Sequence, residues 1–332
     1  MLRDPRDNLP AGAVPAAASG GAASRRDFLS GALGAVLALG CERAASAKPG
    51  KDTLAKDTPA KDKAMPVATA ATPSARMPVL FVGHGSPMNA IDDNRWSQAF
   101  RALGTELPRP KAVLCVSAHW FVPGTFLTDN PQPETIHDFG GFPQALQQVQ
   151  YPAPGAPDLA RSISQRLAAY AAQPRSDWGL DHGTWSVLVH TMPNADVPVL
   201  QLSIDARLPV AKHIEIGKAL APLRDEGVLL LGSGNVVHNL RDAFGNMRSG
   251  RNDTPPWAIE FDRNITQALE QRDAQHLGSA LEGALGRNAH PSAEHYLPLL
   301  YTFGASVPGD SIRFPIDGFD AGSISMRSVR WG

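Results

Sequence analysis

Cysteine is nearly absent from this chain: Cys41 and Cys115 are the only two in 332 residues. Two cysteines make no disulfide framework, and Cys115 lies inside an apolar run, where it reads as a small core residue. A charge surplus is missing too, with 31 Lys and Arg against 32 Asp and Glu and a formal net charge of −1. That balance leaves no basic footprint for nucleic acid. Long apolar runs are also lacking, and no stretch reaches the roughly 20 residues that a membrane-spanning helix needs. What remains is a chain of 43% hydrophobic residues, enough for a substantial core in one large domain.

The first seventy-odd residues do not share the texture of that domain. Residues 1–23 are rich in Ala, Gly and Pro, and Ser24-Arg25-Arg26-Asp27-Phe28-Leu29 then opens a short apolar segment that ends at Leu39. A paired-arginine region, a modest apolar region and a cleavage region in that order resemble a twin-arginine export signal. Ala45-Ser46-Ala47 fits a small-residue cleavage site, with the mature chain beginning at Lys48. A second route is a lipid anchor on Cys41, although Ala38-Leu39 reverses the usual lipoprotein order. The expected destination is periplasmic or exported, through the twin-arginine machinery; a plain N-terminal tail on a cytoplasmic protein is the alternative. Residues 48–76 are poor in large apolar side chains and read as a flexible linker. The division expected is therefore 1–47 export signal, 48–76 linker and 77–332 folded domain.

From Met77 onward, strand-like runs fall at 78–82, 112–117, 124–128, 197–204, 227–232 and 323–330. Helical patterns fall between them at 93–106, 157–173, 209–224, 256–271, 273–285 and 292–303. Pro157 and Pro209 suit first-turn positions, and Ser292 is a cap candidate for a helix carrying His295. Strands alternating with helices predict an α/β three-layer sandwich, a largely parallel central sheet with helices on both faces. The Pro- and Gly-rich stretch 129–157 is too long for a tight turn and reads as a binding loop or lid.

Three apolar runs end in small residues and then a histidine. Val79-Leu80-Phe81-Val82-Gly83 leads to His84, Ala112-Val113-Leu114-Cys115-Val116-Ser117-Ala118 to His119, and Val228-Leu229-Leu230-Leu231-Gly232-Ser233-Gly234-Asn235-Val236-Val237 to His238. Ligands of open α/β sheets bind just beyond the carboxyl ends of the strands. Three imidazoles gathered there make a metal site with open positions. His182, in Leu180-Asp181-His182-Gly183-Thr184-Trp185, follows no strand-like run and reads as a loop residue suited to proton transfer.

Gly83-His84-Gly85-Ser86-Pro87, Ser117-Ala118-His119-Trp120, Thr135-Ile136-His137-Asp138-Phe139 with Gly141-Phe142-Pro143, Tyr151-Pro152-Ala153-Pro154-Gly155, Asp181-His182-Gly183-Thr184-Trp185, and Gly232-Ser233-Gly234-Asn235 with His238-Asn239 occur in this order. Together they resemble the class III extradiol ring-cleavage dioxygenases, in the branch of the 4,5-DOPA extradiol type, over residues 78–331. The resemblance implies a non-haem Fe(II) enzyme that opens a small catecholic ring with O2. It also implies metal ligands at His84, His119 and His238 and an acid/base histidine at His182, with Zn(II) as an alternative occupant of the same site.

Three protein ligands on one face of an octahedron leave room for two catechol oxygens and O2. His182 would take a proton from the second hydroxyl and return one as the O–O bond breaks. Tentative substrate contacts are His137, Trp120, Trp185 and His295, with Phe142 as a further aromatic wall. Each has a plainer reading: His137 as a turn residue beside Asp138, His295 as a surface helix residue, the aromatics as core. His190, His213, His276 and His290 read as structural or exposed. Two rival functions stay open on the residues alone, a zinc-dependent hydrolase and a non-catalytic exported metal-binding protein.

Overall fold

A computed structural model describes residues 76–332; the expected export signal and nearly all of the expected linker lie outside the described residues. In chain order the elements are β1 (Val79–Gly83), α1 (Arg95–Glu106), β2 (Ala112–Val122), β3 (Phe126–Thr128), α2 (Gln144–Gln147), α3 (Pro157–Arg166), β4 (Gln173–Arg175), α4 (His182–Thr191), β5 (Val199–Asp205), α5 (Lys212–Leu220) and β6 (Val228–Gly234). After them come α6 (Leu240–Ser249), α7 (Pro256–Glu270), α8 (Ala274–Ser279), α9 (Gly283–Ala289), α10 (Leu297–Ala305), β7 (Ile312–Ile316), β8 (Phe319–Asp320), β9 (Ile324–Ser325) and β10 (Ser328–Trp331).

Eight strands form one sheet in the order β4-β3-β5-β2-β6-β1-β10-β7, with β8 and β9 as a separate hairpin. The four central strands β5, β2, β6 and β1 run parallel. Antiparallel pairing enters at the flanks, between β3 and β5 and from β1 through β10 to β7. The apolar runs are continuous because both faces of these strands are covered. Val79 and Phe81 of β1, Leu114 and Val116 of β2, and Val228 and Leu230 of β6 pack into one core. Their neighbours Leu80, Val82, Val113, Cys115, Leu229 and Leu231 pack into the other. Successive side chains of a strand point to opposite faces, so one run feeds two cores. The three-layer arrangement read from the sequence is the one observed.

Several boundaries differ. The helix expected over 157–173 stops at Arg166, and a short 3-10 turn ends on Ala171 in the left-handed region, φ 51°. The pattern over 273–285 is two helices, broken where Gly283 takes φ 77°. The run 323–330 is two strands, β9 and β10. Ser292 does not cap the last helix: its hydroxyl donates to Glu294 Oε1, and α10 begins only at Leu297, after His295. His182 is not a loop residue. It is the first residue of α4, which Asp181 caps by accepting from the Thr184 N–H. Burial on nearly all sides hides α4 from periodicity, because such a helix has no polar face to alternate with.

One buried charge ties the ends of the domain together. Arg224 is 1% exposed, and it donates to both carboxylate oxygens of Asp310 at 2.7 and 3.0 Å and to the Met77 and Ala305 carbonyls. Removing one member of a buried pair strands the other, at a cost of about 3–5 kcal/mol. Asp310→Ala is therefore expected to lose stability on that scale in urea unfolding. A loss below about 1 kcal/mol would mean that water reaches the guanidinium.

Candidate metal centre

The site lies at the carboxyl edge of the parallel strands. His84 follows β1 directly, its backbone N–H donating to the Gly234 carbonyl at the end of β6. His119 lies inside β2, where pairing with β5 slips between Val116 and Phe121. Extra residues in one strand re-aim the side chains there, and this slip turns His119 toward the edge. His238 is carried past β6 and pinned by a bridge to Ile324 and by its N–H on the Ala289 carbonyl. His182 arrives from the start of α4. Gly183 permits that approach, since a Cβ there would meet Ser117 Oγ at 2.5 Å and His119 Cδ2 at 2.9 Å. Gly234 does the same for the chain before α10: a Cβ would stand 2.2 Å from the His295 carbonyl oxygen.

Five imidazoles result, not four. Ring centroids of His84 and His119 are 5.1 Å apart, and His295 stands 5.3 Å from the first and 5.1 Å from the second. His182 lies 3.8 Å from His119 and 5.7 Å from His84. His238 stacks on His295 at 3.5 Å with the ring planes nearly parallel. One ligand nitrogen from each of His84, His119 and His182 lies within 4.8 Å of the other two, and His238, His295 and Glu294 form a second such group.

Hydrogen bonds decide which nitrogens face inward. Asp138 accepts from His182 Nδ1 on one oxygen at 2.9 Å and from His119 Nδ1 on the other at 3.1 Å. An ionised carboxylate only accepts, so both Nδ1 atoms carry the proton and both Nε2 atoms present lone pairs. Ser233 donates its hydroxyl to the Gly183 carbonyl, so it accepts from His84 Nδ1 at 2.9 Å. Glu294 Oε1 lies 3.2 Å from His295 Nδ1. Four imidazoles thus have Nδ1 anchored and Nε2 free, while no described side chain or carbonyl anchors the His238 ring.

With both rings neutral, His84 Nε2 and His119 Nε2 face each other at 3.2 Å with no proton between them. Two lone pairs at that distance repel unless a cation sits between them. Nitrogens about 2.0–2.1 Å from one ion lie roughly 3.0–3.4 Å apart, so the spacing fits a shared metal. Protonation matches this at His84, His295 and His238. Burial first, then the neighbouring imidazoles, pushes His84 and His295 well below the usual histidine range. His238 is lowered to about 3 by burial and by His290 and His119. Burial opposes the charged form of His119 too, but its hydrogen bond to Asp138 and the charge of Asp181 prevail and raise it; neutral imidazoles are the form that binds metal, so a cation bound there displaces that proton. Burial opposes ionisation of Asp138, but the hydrogen bonds from His119 and His182 prevail and hold its carboxyl well below the usual range.

A cavity of about 420 Å³ opens over the cluster. His84, His119, His182, His238 and His295 line it with Phe139, Phe142, Leu240, Phe244 and Met247 among others. Three residues expected there are elsewhere. Trp120 is buried and stacked on Trp178, Trp185 is buried with its Nε1 donating to the Ile136 carbonyl, and His137 bonds the Val149 carbonyl. His137 and Trp185 back the cavity wall through Phe139, which packs against both rings. His295 lines the cavity and is not on a surface helix. His213 and His290 are buried structural residues, and His276 is exposed. Asp138 is the participant that sequence reading missed, having appeared only as a turn partner of His137.

The family model described as the catalytic LigB subunit of aromatic ring-opening dioxygenase matches residues 78–313. The chain belongs to that family, and it is a metal-dependent extradiol ring-cleaving dioxygenase. It is 48% identical over 263 residues to 4,5-DOPA dioxygenase extradiol of Escherichia coli K12, covering 78% of this chain and 96% of that one. The Beta vulgaris protein of the same name is 36% identical over 271 residues, covering 76% and 95%. An uncharacterized Escherichia coli K12 protein of known crystal structure superposes with a TM-score of 0.67 at 42% identity, covering 77% of this chain and all of that one.

Asp138 offers two acceptors where an amide offers one. Asp138→Asn should keep the fold but weaken metal binding about 10–100-fold in a chelator competition titration, the usual cost of losing such a partner. Unchanged affinity would show that the histidines are oriented without it.

Proposed function

We propose that His84, His119 and His295 hold an Fe(II) ion, with Zn(II) as an alternative occupant, and that the substrate is a small catechol of the DOPA kind. The observation that carries this reading is the near-equilateral triangle of those three rings, each with Nδ1 anchored and Nε2 free. The sequence expectation gave the third place to His238; its unanchored ring, stacked behind His295, favours the exchange. A metal bound there supplies open positions at which a catecholate and O2 meet. The side chains do the rest. His182 keeps its Nδ1 proton on Asp138, so its Nε2 accepts a proton from a catechol hydroxyl and later returns one. Burial lowers its pKa, so it is a free base near neutral pH. Phe139 and Phe142, in edge-to-face contact at 5.3 Å, stand over the cluster and keep water from the reacting ring.

Protein reconstituted anaerobically with Fe(II) is expected to consume O2 and form a yellow ring-fission product from a catechol. His182→Gln should keep its metal and lose about 10²–10⁴-fold in kcat, the ordinary share of a general acid–base group. His295→Ala should lose metal and His238→Ala retain it; the opposite result would return the third place to His238. Hydrolysis of an ester or amide without oxygen uptake would overturn the whole reading.

For location, we propose twin-arginine export, supported by the order of Arg25-Arg26, Phe28-Leu29 and the apolar run to Leu39. Replacing Arg25 and Arg26 together by Lys should leave the protein in the cytoplasm. Unchanged export would sink the proposal.

A further inference from the structure

The outer half of the catalytic cavity has a one-sided charge. Among the described residues lining it there is no lysine or arginine, and Asp320 is its single carboxylate. Arg95 acts on Asp320 electrostatically from outside the cavity, but its guanidinium lies over the Trp96 ring and donates to the Phe319 carbonyl. Burial pushes the Asp320 carboxyl above its usual range, so the group is desolvated without an ion pair to offset that cost.

The carboxylate stands on a rigid support. Asp320 ends β8 and pairs with Ile324 of β9, which in turn bridges His238. The turn between them uses positive φ at Ala321, 47°, and Gly322, 76°. Asn246 donates to the Ala321 carbonyl at 3.0 Å, and Ser323 donates to the Asn239 carbonyl at 2.9 Å, so both ends of α6 clasp the hairpin. On the same α6, Leu240, Phe244 and Met247 form a stripe that lines the cavity with Asp320, and they are 45, 50 and 56% exposed. This wall accepts the methylenes of a side chain and offers nothing to an anion.

We propose that this outer pocket selects catechols whose side chain ends in an ammonium group, with Asp320 as its charge partner, and disfavours catechols that carry a carboxylate alone. The inference rests on the ring-opening reading and narrows its substrate class. A zwitterion such as DOPA is then held by its ammonium end and gains nothing from its carboxylate.

Four probes test it: dopamine, 4-ethylcatechol, DOPA and 3,4-dihydroxyphenylacetate. Affinities are measured by calorimetry on the full-length protein loaded with Zn(II), and kcat/KM on the Fe(II) form. The expected order is dopamine first, then 4-ethylcatechol and DOPA, with dihydroxyphenylacetate last. Asp320→Asn should reduce the preference for dopamine over 4-ethylcatechol by about 1.5- to 5-fold, the range of a partly exposed charge pair. The order in the unsubstituted protein decides the matter if that variant fails to fold. Dihydroxyphenylacetate matching dopamine, or an Asp320→Asn protein with its preference intact, overturns the proposal. Turnover without the order sinks this inference and leaves ring opening standing. The affinity order without any turnover does the reverse.

Discussion

Everything in the site depends on four clustered imidazoles keeping their Nδ1 protons on fixed acceptors. If those protons moved to Nε2, the lone pairs that converge below the cavity would vanish. Asp138 holds two of the four, and Ser233 and Glu294 hold one each. Burial supplies the other half of the constraint at His84, His182 and His295, because a desolvated imidazole resists the second proton that would blind both nitrogens; at His119 the Asp138 carboxylate outweighs it. The cluster is therefore tuned for a cation before one arrives.

The acceptors are themselves held. Ser233 must accept from His84 and cannot donate to it, because its one proton is spent on the Gly183 carbonyl. Asp181, the cap of α4, accepts from Ser117 Oγ and Gln201 Nε2 at 2.6 Å each, which ties the helix start to β2 and β5. The start of α4 thus brings His182 to Asp138 and Gly183 to Ser233 in one stroke. A shift of this helix would disturb the tautomers of His84 and His182 together, although the two residues lie nearly a hundred positions apart.

Much of this was readable beforehand. The parallel core strands announce themselves as unbroken apolar runs, since a strand buried on both faces needs no polar residue. The histidines after β1, in β2 and after β6 stand out because imidazoles directly after such runs occur where sheets bind ligands. Other parts had no local trace. Helix α4 is buried all round and shows no period. Asp138 lies in a long loop, where an aspartate beside a histidine has many ordinary uses. Trp120 and Trp185 look like pocket walls in sequence but point into the core, because one residue's step along β2 or α4 changes which layer a ring enters.

The sequence by itself determined the layer architecture, the edge where chemistry happens and the residue type that performs it. Those follow from burial patterns, which are local and periodic. Only the tertiary structure decided which imidazoles stand together and which nitrogen each presents. His295 is 211 residues from His84, yet their rings are 5.3 Å apart. That closeness comes from Gly234 letting the chain before α10 pass over the end of β6. No spacing along the chain encodes it, because ligand geometry is set by where separate elements meet, and a hydrogen bond at Nδ1 is known only when its acceptor is in place.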